Sequence, residues 1–256
     1  QRYAHLFELE PIGEHLSYPS FLKPYDGGGW RGVSQVTNLE SLKQAYDESG
    51  SDLMHLQQAV AGFDVFVRAV GIGPQVRVMK YDPSQPLHER YRVDRAFVDD
   101  DARQLIEDTC LTINTFFGWD FNSCEMLRRD GVFYPIDFAN PCPDNQVNSI
   151  HYHWPWYVIS NLKWAVFNAA TRRPMRKTLD FEPYYEIAKR DLPFRDKLAG
   201  YAAVARERLA AAEFAEFSDR HLGPLEEAAY AWFRGERCQE AIRRKVAHLF
   251  PEDEVE

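Results

Sequence analysis

Asp130-Gly131 sits between two stretches rich in apolar and β-forming residues, Cys124 to Arg128 and Val132 to Phe138. A dipeptide of this kind accepts the left-handed backbone of a tight reversal, so it makes the two stretches antiparallel neighbours with a defined register. The register decides which side chains share a sheet face. If the loop is Arg129-Asp130-Gly131 with Gly131 left-handed, Arg128 opposes Val132 and Glu125 opposes Pro135. Glu125 and Asp137 then stand on one face, because side chains alternate along a strand. A two-residue turn would instead pair Glu125 with Ile136 and send Asp137 to the other face.

The segments before this hairpin also read as strands and short helices. Ser20 to Lys23 and Gly32 to Val36 flank a glycine-rich turn. Leu39 to Ser49 spaces Leu39, Leu42, Ala45 and Tyr46 helically and closes at Gly50. Val65 to Val70 and Val76 to Tyr81 turn through Gly71, Gly73 and Pro74 as neighbouring strands. Asp99 to Phe117 begins with aspartates and carries one apolar face, which predicts a helix. Beyond about His151 the chain becomes rich in Ala, Leu, Glu and Arg, and predicts helices over Trp156 to Ala170, Tyr201 to His221 and Pro224 to Leu249. His151-Tyr152-His153 is read as a strand, where both imidazoles would share a face. With no third ligand evident, packing beside Trp154 and Trp156 is the favoured role. The expected class is α+β, with residues 1–150 distinct from a helical region over 151–256.

A formal charge of -9 over 256 residues argues against sequence-independent binding to nucleic acid, which depends on neutralising phosphates. No apolar run approaches the roughly 20 residues of a membrane span, so no membrane partner is expected. The four cysteines lack CxxC spacing, which favours a reducing cytoplasm over a disulfide framework.

Two segments carry the chemistry. In Lys23-Pro24-Tyr25-Asp26-Gly27-Gly28-Gly29-Trp30-Arg31-Gly32 the glycines let backbone N–H groups converge on an anion, and Lys23 adds a compact charge for phosphate oxygens. In the hairpin, Glu125, Asp137 and Asn140 supply the oxygen donors that magnesium prefers beside phosphates. Arg68, Lys80 and Arg92, on neighbouring strands, are further candidate catalytic residues.

In this order and spacing the two segments resemble the ATP-grasp superfamily, particularly its glutathione-synthase-like and ribosomal-protein-glutamate-ligase-like branch, across Pro19 to Asp144. The resemblance implies two α+β subdomains clasping ATP. Lys23 and the loop Asp26, Gly27, Gly28, Gly29 and Trp30 would cover the phosphates. Backbone groups from Gln57 and Gln58 to Val60 would face adenine, and Asp64 would accept ribose hydroxyls. Glu125, Asp137 and Asn140 would hold Mg2+. The implied reaction joins a small carboxylate to an amine or thiol through an acyl phosphate. A non-catalytic ATP-binding regulatory module and an ATP-dependent small-molecule kinase are the rival functions. The sequence departs from the family in two places. Two residues rather than one separate Asp137 from Asn140, and no lysine occurs from Gln1 to Leu22. The family's amino-terminal domain is not recognisable, so the expectation is a piece of a longer enzyme.

Overall fold

The computed structural model describes residues 7–26, 31–86, 89–141, 143–174 and 179–249. Contacts divide the chain into two compact units, Gln1–Phe63 and Asp64–Glu256.

In the first unit α1 (Leu9–Leu16) and α2 (Leu39–Glu48) accompany β1 (Ser20–Pro24), β2 (Ser34–Val36) and β3 (Met54–Gln58). The strands form an antiparallel sheet in the order β2-β1-β3. Asn38 starts α2 by accepting from the Ser41 N–H at 2.9 Å, while the Ser41 hydroxyl accepts from the Asn38 N–H at 3.1 Å. This reciprocal cap satisfies donors that a helix start leaves open. Leu22, Val36 and Leu42 form the buried centre, joined by Leu9, Met54 and Leu56.

In the second unit β4 (Val65–Ile72), β5 (Gln75–Tyr81), β6 (Tyr91–Arg92), β7 (Phe121–Arg129) and β8 (Val132–Asn140) form an antiparallel sheet in the order β6-β5-β4-β7-β8. Helix α3 (Asp100–Phe117) starts where the Asp99 carboxylate accepts from the Ala102 N–H at 2.7 Å. Its Ile106 and Cys110 pack on Val67, Ala69, Val78, Cys124 and Met126, which are alternate residues on one sheet face.

The opposite face carries Val70, Ile72 and Met79, which share a core with Trp164, Phe167, Leu209 and Phe214 from the later helices. Burying aliphatic side chains as completely as Val70, Ile72 and Leu209 stabilises the fold by about 1.5–3 kcal/mol each. These helices are α4 (Val147–Ile150), α5 (Trp154–Thr171), α6 (Glu182–Ala188), α7 (Phe194–Arg208), α8 (Ala211–His221), α9 (Gly223–Arg234) and α10 (Glu236–Leu249). The architecture is α+β with a helical carboxy-terminal region, as the sequence predicts.

Three local expectations change. The helix expected over Tyr201 to His221 is two helices, broken where Leu209 is fully buried and Ala210 turns to φ 48°. The helix expected over Pro224 to Leu249 breaks at Gly235, which is extended. His151–His153 forms a 3-10 turn leading into α5 rather than a strand, with His151 at φ 42°. In such a turn residues two apart do not share a face, which removes the geometry that made this pair resemble metal ligands.

Candidate active site

In the first unit, Lys23 pairs with His55 and Phe21 with Gln57, so Lys23 and Gln57 are diagonal neighbours on one face of β1 and β3. The Lys23 ammonium donates to Gln57 Oε1. This face is the one turned away from Leu22, Met54 and Leu56. Gln58, one residue further, lies on the other face, opposite buried Ser20. β3 is an edge strand. The Ala59 N–H donates to Pro19 O at 3.1 Å, and Val60 is partly buried. Asp26 is exposed in the turn that follows β1. Gly27, Gly28, Gly29 and Trp30 lie outside the described residues. Gly32, on the returning side, has φ 69°, and a Cβ there would sit 2.9 Å from Pro24 Cγ. Only glycine fits that return.

Asp64 opens the second unit and is gripped by Arg128. The Arg128 Nε donates to Asp64 Oδ1 at 3.0 Å and a terminal nitrogen donates to Oδ2 at 2.7 Å. The guanidinium lowers the Asp64 carboxyl below its ordinary range, and the Asp64 N–H donates to Arg128 O at 3.0 Å. Both carboxylate oxygens therefore already accept from Arg128.

The hairpin is built differently from the expected three-residue loop. Asp130 and Gly131 both have positive φ, 53° and 76°, and Arg129 pairs with Val132. This is the two-residue turn, whose regular continuation would pair Glu125 with Ile136. The strands do not continue regularly. Met126 pairs with Pro135, but Glu125 pairs with Asp137, so the register slips between these rungs. The extra residue, Ile136, forms a bulge and brings Asp137 directly across from Glu125. A second slip places Asn140 opposite Ser123, two residues before Glu125 on the same strand. Glu125, Asp137 and Asn140 consequently share one face. The additional residue between Asp137 and Asn140 is absorbed by the second bulge, which otherwise would have left Asn140 facing away.

A buried amide holds this irregular backbone. Asn122 is fully buried; its Nδ2 donates to Phe138 O at 2.9 Å and to Asn114 Oδ1 at 2.8 Å, and its Oδ1 accepts from the Asn140 N–H at 2.9 Å. These bonds replace ladder contacts that the bulges remove. Asn114, on α3, needs the room left by Gly71, because a Cβ there would lie 2.3 Å from Asn114 Nδ2. Sequence reasoning placed Gly71 in the turn after the strand, whereas it lies within β4, and it missed Asn114 and Asn122. The available signal was the adjacent polar pair Asn122-Ser123 between Phe121 and Cys124, which the alternation of a half-buried strand does not explain.

Arg68 pairs with Glu125 across β4 and β7, completing a row of Arg68, Glu125 and Asp137. It is 7% exposed and donates to the Tyr91 hydroxyl. Lys80 and Arg92 are not brought to this row. Lys80 pairs with Val67 and Arg92, which places both on the α3 face. Lys80 binds Asp94 at 2.9 Å, and Arg92 lies 3.8 Å from Glu89. Cys124 adjoins the acids in sequence but is buried, and burial together with the charges of Glu125 and Asp137 raises its thiol well above the ordinary value. It is no nucleophile.

The donor chemistry fits a hard cation. Among the described residues no group of three or more His, Cys, Asp and Glu is arranged to hold a metal. Two opposed carboxylates and one amide would leave coordination positions for phosphate and water, as magnesium sites commonly do. Among the described residues no helix is long and apolar enough to cross a membrane.

No family model matches the chain. The D-alanine–D-alanine ligase of Heliobacterium modesticaldum is 28% identical over 111 residues, which is 38% of this chain and 27% of that protein. The solved D-alanine–D-alanine ligase of Bacillus anthracis complexed with ATP superposes with a TM-score of 0.50 at 13% identity, covering 65% of this chain and 56% of that one. A biotin carboxylase from Campylobacter jejuni reaches a TM-score of 0.45 at 19% identity, over 56% of this chain and 35% of its own. The chain spans well under two thirds of each of these proteins. The fold is that of ATP-grasp enzymes, in the α+β class with a helical carboxy-terminal region.

Proposed function

We propose that this chain carries the nucleotide- and metal-binding parts of an ATP- and magnesium-dependent ligase, which activates a carboxylate as an acyl phosphate for attack by an amine or thiol. The observation that carries the reading is the doubly bulged hairpin, because it turns three oxygen donors separated by irregular spacing onto one face. The ATP-grasp fold supports it. A relative named for joining two D-alanines makes an amine the favoured acceptor. The resemblance to the glutathione-synthase-like and ribosomal-protein-glutamate-ligase-like branch remains part of the proposal. Residues 1–150 contain every residue used here, and 151–256 supply the helical cover.

In this reading Glu125, Asp137 and Asn140 hold magnesium, which neutralises charge on the transferring phosphoryl group. Lys23 neutralises phosphate oxygens, with Gln57 fixing its ammonium when no nucleotide competes. Asp26 and the glycines Gly27, Gly28 and Gly29, with Trp30, cover the phosphates. The backbone from Gln57 and Gln58 to Val60 accepts adenine. Asp64 has no part in this reading, since Arg128, on the α3 face with Val65 and Met126, already takes both its carboxylate oxygens. Arg68 faces the developing acyl phosphate beside Glu125. Lys80 and Arg92 have no part in this reading, since they lie on the other face. Phosphoryl transfer depends on alignment and charge rather than on a protein nucleophile, so this set is chemically sufficient.

The test is product analysis with the complete protein. ADP and phosphate should appear only when magnesium, a carboxylate and an amine or thiol are all supplied, with the joined product detected by mass spectrometry. Release of a phosphorylated product without capture would make the protein a kinase. ATP binding with no turnover on any carboxylate and amine set would leave only a binding module. Lys23→Ala should weaken ATP binding about tenfold with little change in stability, as loss of one partly buried charge contact implies.

A further inference from the structure

The carboxy-terminal helices bound a cavity that no residue of the proposed nucleotide or metal site lines. Cys238, Ala241, Ile242 and Lys245 recur at helical spacing and form one stripe along α10. Facing that stripe are Trp154 at the start of α5, Trp232 near the end of α9, and Asn145, Gln146 and Val147 where α4 begins. Together these residues surround an open cavity of about 330 Å³. That is the lower end of the roughly 300–1,000 Å³ of small-molecule pockets, so it suits a small ligand.

Contacts behind the cavity hold its walls. The ring of buried Phe233 lies 5.3 Å from that of Trp154 and 5.5 Å from that of Trp232, so both indoles pack on one side chain. The Gly235 N–H donates to Trp232 O at 3.0 Å and Gln239 Nε2 donates to Phe233 O at 2.7 Å, which closes the corner between α9 and α10. Cys238, Ile242 and Trp154 belong to the same apolar cluster as Phe233 and Ile159, so the cavity continues a packed core. Trp232 nevertheless keeps 55% of its surface exposed. An indole so open is apolar area that a ligand would remove from water.

Of the lining residues, Lys245 alone carries a full charge. Its ammonium, exposed at the rim, donates to Gln146 Oε1, which leaves two N–H donors for another group. Gln146 is free to accept because its side chain makes no cap on α4. Among the described residues no acid forms an ion pair with Lys245. Asp144, the acid next in sequence, does not line the cavity and accepts from the Gln146 N–H at 3.1 Å. A single cation beside aromatic and aliphatic walls matches a ligand with one anionic end, since the apolar walls supply affinity and the charge sets orientation. We propose that this cavity binds a small monocarboxylic acid with an apolar body, the carboxylate on Lys245 and the body against Trp154 and Trp232. The site stands independently of the ligase reading, and it would give the helical region a ligand-binding role.

Isothermal titration of the complete protein with phenylacetate tests the site, with phenylacetamide as the uncharged probe of the same shape. Phenylacetate should bind saturably and about fivefold more tightly than the amide, as one exposed charge contact implies. Lys245→Gln should bring the acid to the affinity of the amide and leave the amide unchanged. Ala241→Trp, at an exposed position of α10, should fill the cavity and abolish binding of both probes, while Lys23→Ala should change neither. If Ala241→Trp does not fold, the exposed Trp232→Ala decides, by weakening both probes. No saturable binding of phenylacetate, equal affinity for acid and amide, an acid affinity unchanged in Lys245→Gln, binding unaffected by the wall variant, or binding abolished by Lys23→Ala would each overturn the proposal. So would concentration-dependent dimerisation that Trp232→Ala removes, because it would assign this face to a second copy of the chain.

Discussion

The two edges of one face of the five-stranded sheet place charge by different means. At the β7–β8 edge, exposed Asp137 and half-buried Glu125 are brought together by bulges in the backbone. The supporting structure is a buried amide chain through Asn122 and Asn114. At the β5–β6 edge the backbone register is regular, and Arg77 and His153 are instead covered by helices that bury part of each side chain. The first arrangement fixes direction and leaves the carboxylates accessible. The second retains a cation in a setting of low polarity and strengthens whatever electrostatic interaction it makes.

The largest way to break the comparison is at the acids themselves. Asp137→Asn and Glu125→Gln should each lower magnesium-dependent turnover about a thousandfold, measured as ADP release, with the fold retained. Unchanged turnover in both would reduce them to ordinary strand-edge acids. Next comes the support beneath them. Asn122→Leu leaves the Asn140 N–H and Phe138 carbonyl without their side-chain partner, which should cost about 2–4 kcal/mol in urea unfolding. It should also raise the KM for magnesium more than the KM for ATP. A uniform loss of activity with both KM values unchanged would mean that Asn122 supports only the fold.

Gly71→Ala reaches the same chain from its far end. The added methyl would press on Asn114 Nδ2 and should cost about 1–3 kcal/mol, with a smaller rise in magnesium KM. A stability equal to wild type would show that Asn114 moves freely and holds nothing.

The smallest effect belongs to the covered edge. His153 has a folded value of about 4 against an ordinary 6.5, chiefly because burial disfavours its charge, with Arg77, Arg95 and His151 adding to the effect. Between those pH values the unfolded chain binds more protons, so the stability due to neutral His153 is complete above about 6.5 and lost as pH falls through about 4. Tm should therefore fall on acidification across this window, and less steeply in His153→Gln. Parallel pH profiles for the two proteins would exclude His153 as the source.

What could be read from the sequence is local. The aspartate start at Asp99, the stop at Gly50 and the Asp130-Gly131 reversal each act through hydrogen bonds or dihedral preferences within a few residues. Lys23, the glycine segment and the acids could be found because their residue types are restricted by anion and metal chemistry. The site was less legible. The sequence reading placed Glu125 and Asp137 on one face through a three-residue loop, whereas the structure reaches that result through a two-residue turn and a bulge. Lys80 and Arg92 were chosen by strand membership alone, and register puts them on the other face.

The sequence by itself determined the α+β class, the hairpin and the helical character of the later region, because periodicity and turn chemistry are properties of neighbouring residues. Only the tertiary structure decided where the strands slip and which charges are covered. The slip is held by Asn122 against Asn114 on another element, in space left by Gly71 on a third. The covering of Arg77 requires β5, α5 and α9 to meet, and no short stretch of chain encodes that meeting.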